Sequence, residues 1–113
     1  FSAMHKLPTD EVYHFYLGEA VEMLILYPDG RSERVILGQD LVDGQHVQYT
    51  VPRDVWQGLH LLEGGSYALL GTTMAPGFTY DDFVAESRAK LIAAFPDRAD
   101  LIRQLTWPED PLG

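Results

Sequence analysis

His5-Lys6-Leu7-Pro8-Thr9-Asp10-Glu11-Val12-Tyr13-His14-Phe15-Tyr16-Leu17-Gly18 is the stretch on which the fold turns. It gathers two imidazoles, two carboxylates and two phenols among strand-forming residues. Pro8 has no amide hydrogen to give a ladder and biases Leu7 towards extended geometry, so the chain turns at Pro8-Thr9-Asp10. Phe1 to Leu7 reads as a short strand. Glu11 to Leu17 is rich in aromatic and β-branched residues and reads as a longer one. Period two sorts it into one face with Glu11, Tyr13, Phe15 and Leu17 and another with Val12, His14 and Tyr16. Neither face is plainly polar, which predicts that both are covered. Groups able to do chemistry thus sit on a strand that reads as buried.

Working outward, Gly18-Glu19-Ala20 breaks the run, and Val21 to Tyr27 is a second strand, apolar on both faces except at Glu22. Pro28-Asp29-Gly30 is a turn signal, with Pro fixing φ and Gly free to take φ > 0. Arg34 to Leu37 returns as the hairpin partner. After a polar connection from Gly38 to Gly44, Gln45 to Val51 alternates as a strand. Pro52-Arg53-Asp54 turns the chain, Val55 to Leu62 is strand-like, Gly64-Gly65 turns again, and Ser66 to Met74 is a further strand. Short strands punctuated by Gly and Pro predict an all-β sandwich or barrel. A structural corner is expected at Ala75-Pro76-Gly77-Phe78. From Asp81 to Phe95 the period becomes helical, with Val84, Leu91 and Phe95 on one face and Thr79 or Asp81 as the cap. Pro96 ends that helix, and Asp97 to Leu105 reads as a second. The helices are expected to cover the sheet.

The chain has 113 residues, which suits one domain and one core. The expected division is a β jelly roll over residues 1–75, a helical cover over 80–106 and a tail over 107–113. The net charge of −9 repels polyanions, so neither nucleic acid nor an anionic membrane surface is an expected partner. No cysteine is present, which removes disulfides and thiolate metal sites and fits a cytoplasmic protein. No apolar run approaches the roughly 20 residues that span a bilayer.

At His5 to Gly18, and again at Pro52 to Gln57, the chain resembles the cupin superfamily. The first cupin motif has two histidines one residue apart, then a glutamate, then a glycine. His5 matches the first histidine, Leu7 stands in the second's place, Glu11 matches the glutamate and Gly18 the glycine. The second motif, Pro-x-Gly-x-x-His, reads Pro52-Arg53-Asp54-Val55-Trp56-Gln57, with Gln57 for the histidine. Most closely the chain resembles the fifth cupin subfamily, a domain of unknown function. Phe1 to Leu7, Asp10 to Gly18, Leu37-Gly38, Val51-Pro52, Val55-Trp56-Gln57 and Ala75-Pro76-Gly77-Phe78 carry that likeness. It implies a mainly β cupin-like double-stranded β-helix (jelly roll) with two short C-terminal α-helices. It also implies a site in the barrel mouth and a homodimer. Members of that subfamily carry further sequence ahead of the Phe-Ser segment. The N-terminal part is therefore expected to be absent here, leaving a sheet edge open.

Three chemistries compete. His5 stands at the position that resembles the base of metal-free sugar-nucleotide epimerases in this superfamily, and an imidazole ordinarily titrates near pH 6.5, about where a base should. Glu11 would orient it, and Tyr13, on Glu11's face, would return a proton. The catalytic set is then His5, Glu11 and Tyr13. The competing reading for His5 is a histidine satisfied by Glu11 or by backbone. As a binding site, the barrel mouth would use Phe15, Gln48 and Gln57 with Tyr13 and Trp56, for a sugar or nucleotide-sugar-like ligand. Alternation places Trp56 opposite Gln57 and favours a core or interface role for it. The alternative to catalysis without a cofactor is a degenerate divalent-metal site of His5, Glu11 and Gln57. One imidazole, one carboxylate and one amide are a poor donor set for it. His14 falls on the face opposite Glu11, and His46 and His60 read as surface or strand-edge residues. A third reading is a structural module with a filled barrel. The function expected is small-molecule binding with epimerase- or isomerase-type proton transfer.

Overall fold

The computed structural model describes residues 1–77 and 79–108. Phe78 of the expected corner and most of the expected tail lie outside that range. Among the described residues, eight strands form two antiparallel sheets. They are β1 (Ser2–Lys6), β2 (Glu11–Gly18), β3 (Val21–Leu26), β4 (Ser32–Leu37), β5 (Gln48–Val51), β6 (Trp56–Leu61), β7 (Ala68–Met74) and β8 (Val84–Ala85). The larger sheet runs β4-β3-β6-β1-β8 and the smaller β5-β2-β7. Each strand expected between Phe1 and Met74 is present, with ends shifted by a few residues. The largest trim is at the strand expected from Gln45, which begins at Gln48.

Alternation explains the packing. Along β3, Val21, Met23 and Ile25 point between the sheets, where they meet Tyr13, Phe15, Val35, Leu37 and Val51. Leu24 and Leu26 point the other way and join Met4 beneath the helices. Every residue of β3 is therefore buried. Gly18 closes β2 at φ 104°, and a Cβ there would lie 2.5 Å from the Tyr67 carbonyl oxygen, so only glycine fits.

Two expectations are corrected. The second face of β2 is not covered: Val12 and His14 are half-buried and Tyr16 is exposed. This face lies outside the sandwich, and strand-forming residues there record β propensity rather than burial. The helix does not begin near Asp81. Tyr80–Asp82 form one 3-10 turn, and Val84–Ala85 pair with Lys6 and His5 of β1 as β8. The unpaired edge of β1 captures a segment whose spacing reads as helical, which is tertiary context overriding local pattern. The helix α1 spans Arg88–Ala94, and its cap is Ser87, whose hydroxyl accepts from the Lys90 amide. Val84 accordingly lies off the face that carries Leu91 and Phe95.

Pro96 does end α1. A 3-10 turn (Pro96–Arg98) follows, then α2 (Ala99–Gln104). Leu91, Phe95, Ile102 and Leu105 bury against the outer face of the larger sheet. The Met4 amide donates to the Leu105 carbonyl at 2.9 Å, tying this cover to β1. Arg88 holds the two helices together by donating to the Thr106 hydroxyl and to the Arg103 and Thr106 carbonyls. Among the described residues, no helix is long and apolar enough to cross a membrane.

Candidate functional site

A small irregularity in β1 creates the site. Against β6, Ser2 pairs with Leu59 but His5 pairs with Gln57, so three steps on β1 match two on β6. This bulge inserts one residue and breaks the alternation. Ser2 and His5, which strict period two would send to opposite faces, both line the same hollow. The hollow has a volume of about 300 Å³ and is completed by Leu7, Glu11, Thr72, Met74 and Phe83. His5 comes from the larger sheet, while Glu11, Thr72 and Met74 come from the smaller one, so the two sheets face each other across it.

The same bulge fixes the imidazole. His5 Nδ1 lies 2.7 Å from the Ala3 carbonyl oxygen. A carbonyl only accepts, so the proton sits on Nδ1 and Nε2 of the neutral ring carries a lone pair. Nε2 lies 3.9 Å from Glu11 Oε1, beyond a direct hydrogen bond. Both residues are buried, at 8% exposure for His5 and 7% for Glu11. Two acceptors thus face one another across a gap that a proton donor can bridge. Phe83 stacks on the His5 ring with centroids 5.2 Å apart.

Beneath the hollow lies a second tier. Tyr13 donates its hydroxyl proton to Gln57 Oε1 and has Glu11 Oε1 at 3.4 Å. Burial pushes the Tyr13 phenol far above the usual tyrosine range, and the Glu11 charge and hydrogen bond push it further. Tyr13 does not line the hollow, and its geometry suits holding Gln57 and Glu11 in place.

The residues expected at the site therefore divide. His5 and Glu11 meet in the hollow, with Tyr13 and Gln57 supporting them from below. Phe15 packs in the core between the sheets. Gln48 is exposed on β5 opposite His14, because alternation turns both outward. Trp56 packs against the helical cover, with Lys6 Nζ over its ring at 4.9 Å. His14 reaches Thr73 Oγ1 on the outer face at 2.9 Å. Thr72 and Met74 were accessible from the alternation of β7. Phe83 was not, because its segment reads as helix.

The metal reading does not fit these residues. Among the described residues, His5 and Glu11 are the one imidazole and the one carboxylate lining the hollow, Ser2 and Thr72 add neutral hydroxyls and Met74 a thioether, Leu7 occupies a further position with hydrocarbon, and the Gln57 amide oxygen is taken by Tyr13, a poor set for a first-row divalent metal. Among the described residues no group of three or more His, Cys, Asp or Glu side chains converges as a metal site would require.

The comparisons agree with this architecture. Protein SO0799 from Shewanella oneidensis, known from an X-ray crystal structure, is 32% identical with a TM-score of 0.87, over 96% of this chain and 68% of that one. A hypothetical protein from Leishmania major is 27% identical with a TM-score of 0.81, over 94% and 69% respectively. A mutant of Bacillus subtilis oxalate decarboxylase shares the fold at 14% identity and a TM-score of 0.58, with this chain matching 29% of its length. No curated protein matches the chain. The family described as Cupin superfamily (DUF985) matches residues 1–85, and with a jelly roll built around the His5-to-Gly18 motif, the chain belongs to that family.

Proposed function

We propose that the hollow binds a small neutral hydroxylated molecule, of the class of a keto sugar, and that His5 Nε2 removes a proton from the carbon beside its carbonyl. The observation that carries this reading is the Ala3 carbonyl's hold on Nδ1, which leaves Nε2 as the base with Glu11 across from it. The C–H proton passes to Nε2, the electron pair moves onto the carbonyl oxygen, and the imidazolium is stabilised by Glu11. The same imidazolium then returns the proton to the former carbonyl carbon, while the hydroxyl proton of the first carbon passes to the enolate oxygen beside it, so the enediolate collapses to the isomeric carbonyl compound. With Tyr13 buried and off the lining of the hollow, one imidazole faces the ligand, which favours isomerase-type return on one face over epimerisation by two groups. Among the described residues, no lysine or arginine lines the hollow. A nucleotide-sugar would bring phosphate charge beside Glu11, so an uncharged sugar derivative is the better fit.

The test is proton NMR in D2O with a panel of free aldoses and ketoses. Wild-type protein is expected to wash deuterium into one ligand at the carbon beside its carbonyl. His5→Ala is expected to slow that washing by about 100-fold or more. Exchange that survives His5→Ala removes His5 as the base. Stoichiometric loading of zinc or manganese that shifts the His5 ring resonances would instead favour the divalent-metal reading.

We also infer that a second copy of the chain covers the outer end of the smaller sheet. Tyr16, Leu17 and Leu69 are exposed together there, Leu17 pairing directly with Leu69. Sedimentation velocity should give a dimer that Leu69→Glu dissociates; a wild-type monomer would dispose of the idea.

A further inference from the structure

A second cavity, of about 440 Å³, lies on the far side of the larger sheet, between its outer face and the turn leading into α2. It is independent of the hollow. Arg34 from β4 and Arg98 from the 3-10 turn both line it. Each guanidinium is tethered at the same atom. Arg34 Nε donates to Glu22 Oε2, and Arg98 Nε donates to Ser32 Oγ at 2.8 Å. Among the described residues, no protein acceptor meets the terminal nitrogens of either side chain. A tethered Nε orients the guanidinium plane and removes much of the entropy that an ordering ligand would otherwise cost.

The acids around the cavity are mostly committed. Glu22 is held by Arg34 and by His60 at 2.8 Å, and Asp100 is paired with Arg103 at 3.0 Å. Asp97 remains as the opposing charge. The chain has 8 lysines and arginines against 17 acids, and here Arg34, Arg98 and the neighbouring Arg103 balance Glu22, Asp97 and Asp100, so two oriented forks meet on a cavity that is locally neutral in an acidic molecule. A tetrahedral oxyanion has enough acceptor oxygens to receive both forks at once, whereas a lone carboxylate is satisfied by one.

We propose that this cavity is a binding site for a phosphate-type dianion, either inorganic phosphate or the phosphoryl group of a small monoester, clamped by Arg34 and Arg98. The Gln104 amide lies on the rim and can add a donor. The site depends on no step at His5, and it would persist if the hollow proved empty of function.

The probe is inorganic phosphate, titrated into the intact chain at constant ionic strength while the arginine Nε–H resonances are followed by NMR. Saturable shifts at Arg34 and Arg98 are expected. Arg98→Gln should weaken binding about tenfold, the loss of a charge-assisted fork. Arg34→Lys should weaken it comparably while keeping a cation beside Glu22, which guards against a variant that fails merely by unfolding. Glucose 6-phosphate in place of phosphate distinguishes a monoester from the free ion, and saturation by either supports the site. Linear shifts equal to those from chloride would overturn the proposal, as would unchanged phosphate affinity in both variants.

Discussion

Among the described residues the molecule holds two acid–imidazole pairs, Glu11 with His5, both buried, and Glu22, buried, with a half-buried His60, and they are built to opposite ends. On the outer face of the larger sheet, Glu22 and His60 are direct cross-strand partners, 2.8 Å apart, and Arg34 closes the carboxylate's other oxygen. In the hollow, Glu11 and His5 come from different sheets, stay 3.9 Å apart and have no third charge. The first pair satisfies itself. The second leaves a lone pair and a carboxylate turned on empty space. Residue type is the same in both, so what separates structural from functional chemistry here is closure, and closure depends on register and on one bulge.

Breaking the closed pair should have the larger effect on stability. Glu22→Ala leaves Arg34 and His60 facing each other without the carboxylate between them. Losing a partner from a buried pair costs about 3–5 kcal/mol, and the half-exposed Arg34 side chain lowers this to about 2–3 kcal/mol. Urea denaturation should show this loss, and a change below about 0.5 kcal/mol would mean that the cluster is an ornament of the surface.

The same cluster predicts an acid dependence. Burial pushes the Glu22 carboxyl up, but hydrogen bonds from His60 and Arg34 and the charge of Arg34 outweigh it, and the group ends below its ordinary value of 4.5. The unfolded chain therefore binds this proton more readily than the folded one. The contribution is fully present above about pH 4.5 and fades as pH falls through the lower folded value. The stability gap between the wild-type protein and Glu22→Gln should hold steady at neutral pH and narrow in acid. A gap that widens in acid contradicts the assignment.

Much of this fold was legible in the sequence. The turns at Pro28-Asp29-Gly30 and Pro52-Arg53-Asp54, the double-faced apolar strand from Val21 and the stop at Pro96 each follow from local chemistry. The strand β8 was not, because Val84 and Ala85 are extended only where the edge of β1 accepts them, and that edge is a tertiary fact. The site was half legible. The motif brought His5 and Glu11 to one hollow, and alternation placed Tyr13 with Glu11. Alternation also shows that Gln48 opposes His14 once the β2–β5 register is known, yet register itself is not written in either strand alone. The bulge between Ser2 and His5 leaves no mark in Ser2-Ala3-Met4, so the tautomer of His5 could not be read before the structure.

The support beneath the hollow offers a smaller effect. Tyr13→Phe removes the hydroxyl that satisfies Gln57 Oε1, a nearly inaccessible group. An unsatisfied buried acceptor costs about 1–3 kcal/mol, and rotation of the Gln57 amide should recover part of it, leaving about 1 kcal/mol. Proton exchange in the hollow should slow modestly, through a displaced Glu11 carboxylate. A loss as large as that of His5→Ala would restore Tyr13 as a proton carrier.

The smallest change in stability is expected where the chemistry is most concentrated. Glu11 is as buried as Glu22, but no arginine closes it and His5 Nε2 stands beyond hydrogen-bond reach. Its charge is therefore held in the hollow with little compensation. Glu11→Gln removes that charge, keeps the shape, and gives the new amide a donor to aim at Nε2. Stability should stay level or rise by about 1 kcal/mol, while ligand-dependent proton exchange falls. Thermal unfolding of Glu11→Gln beside Glu22→Gln puts the two pairs in one experiment. If both lose stability equally, the open pair is as structural as the closed one, and the hollow is only a gap between sheets.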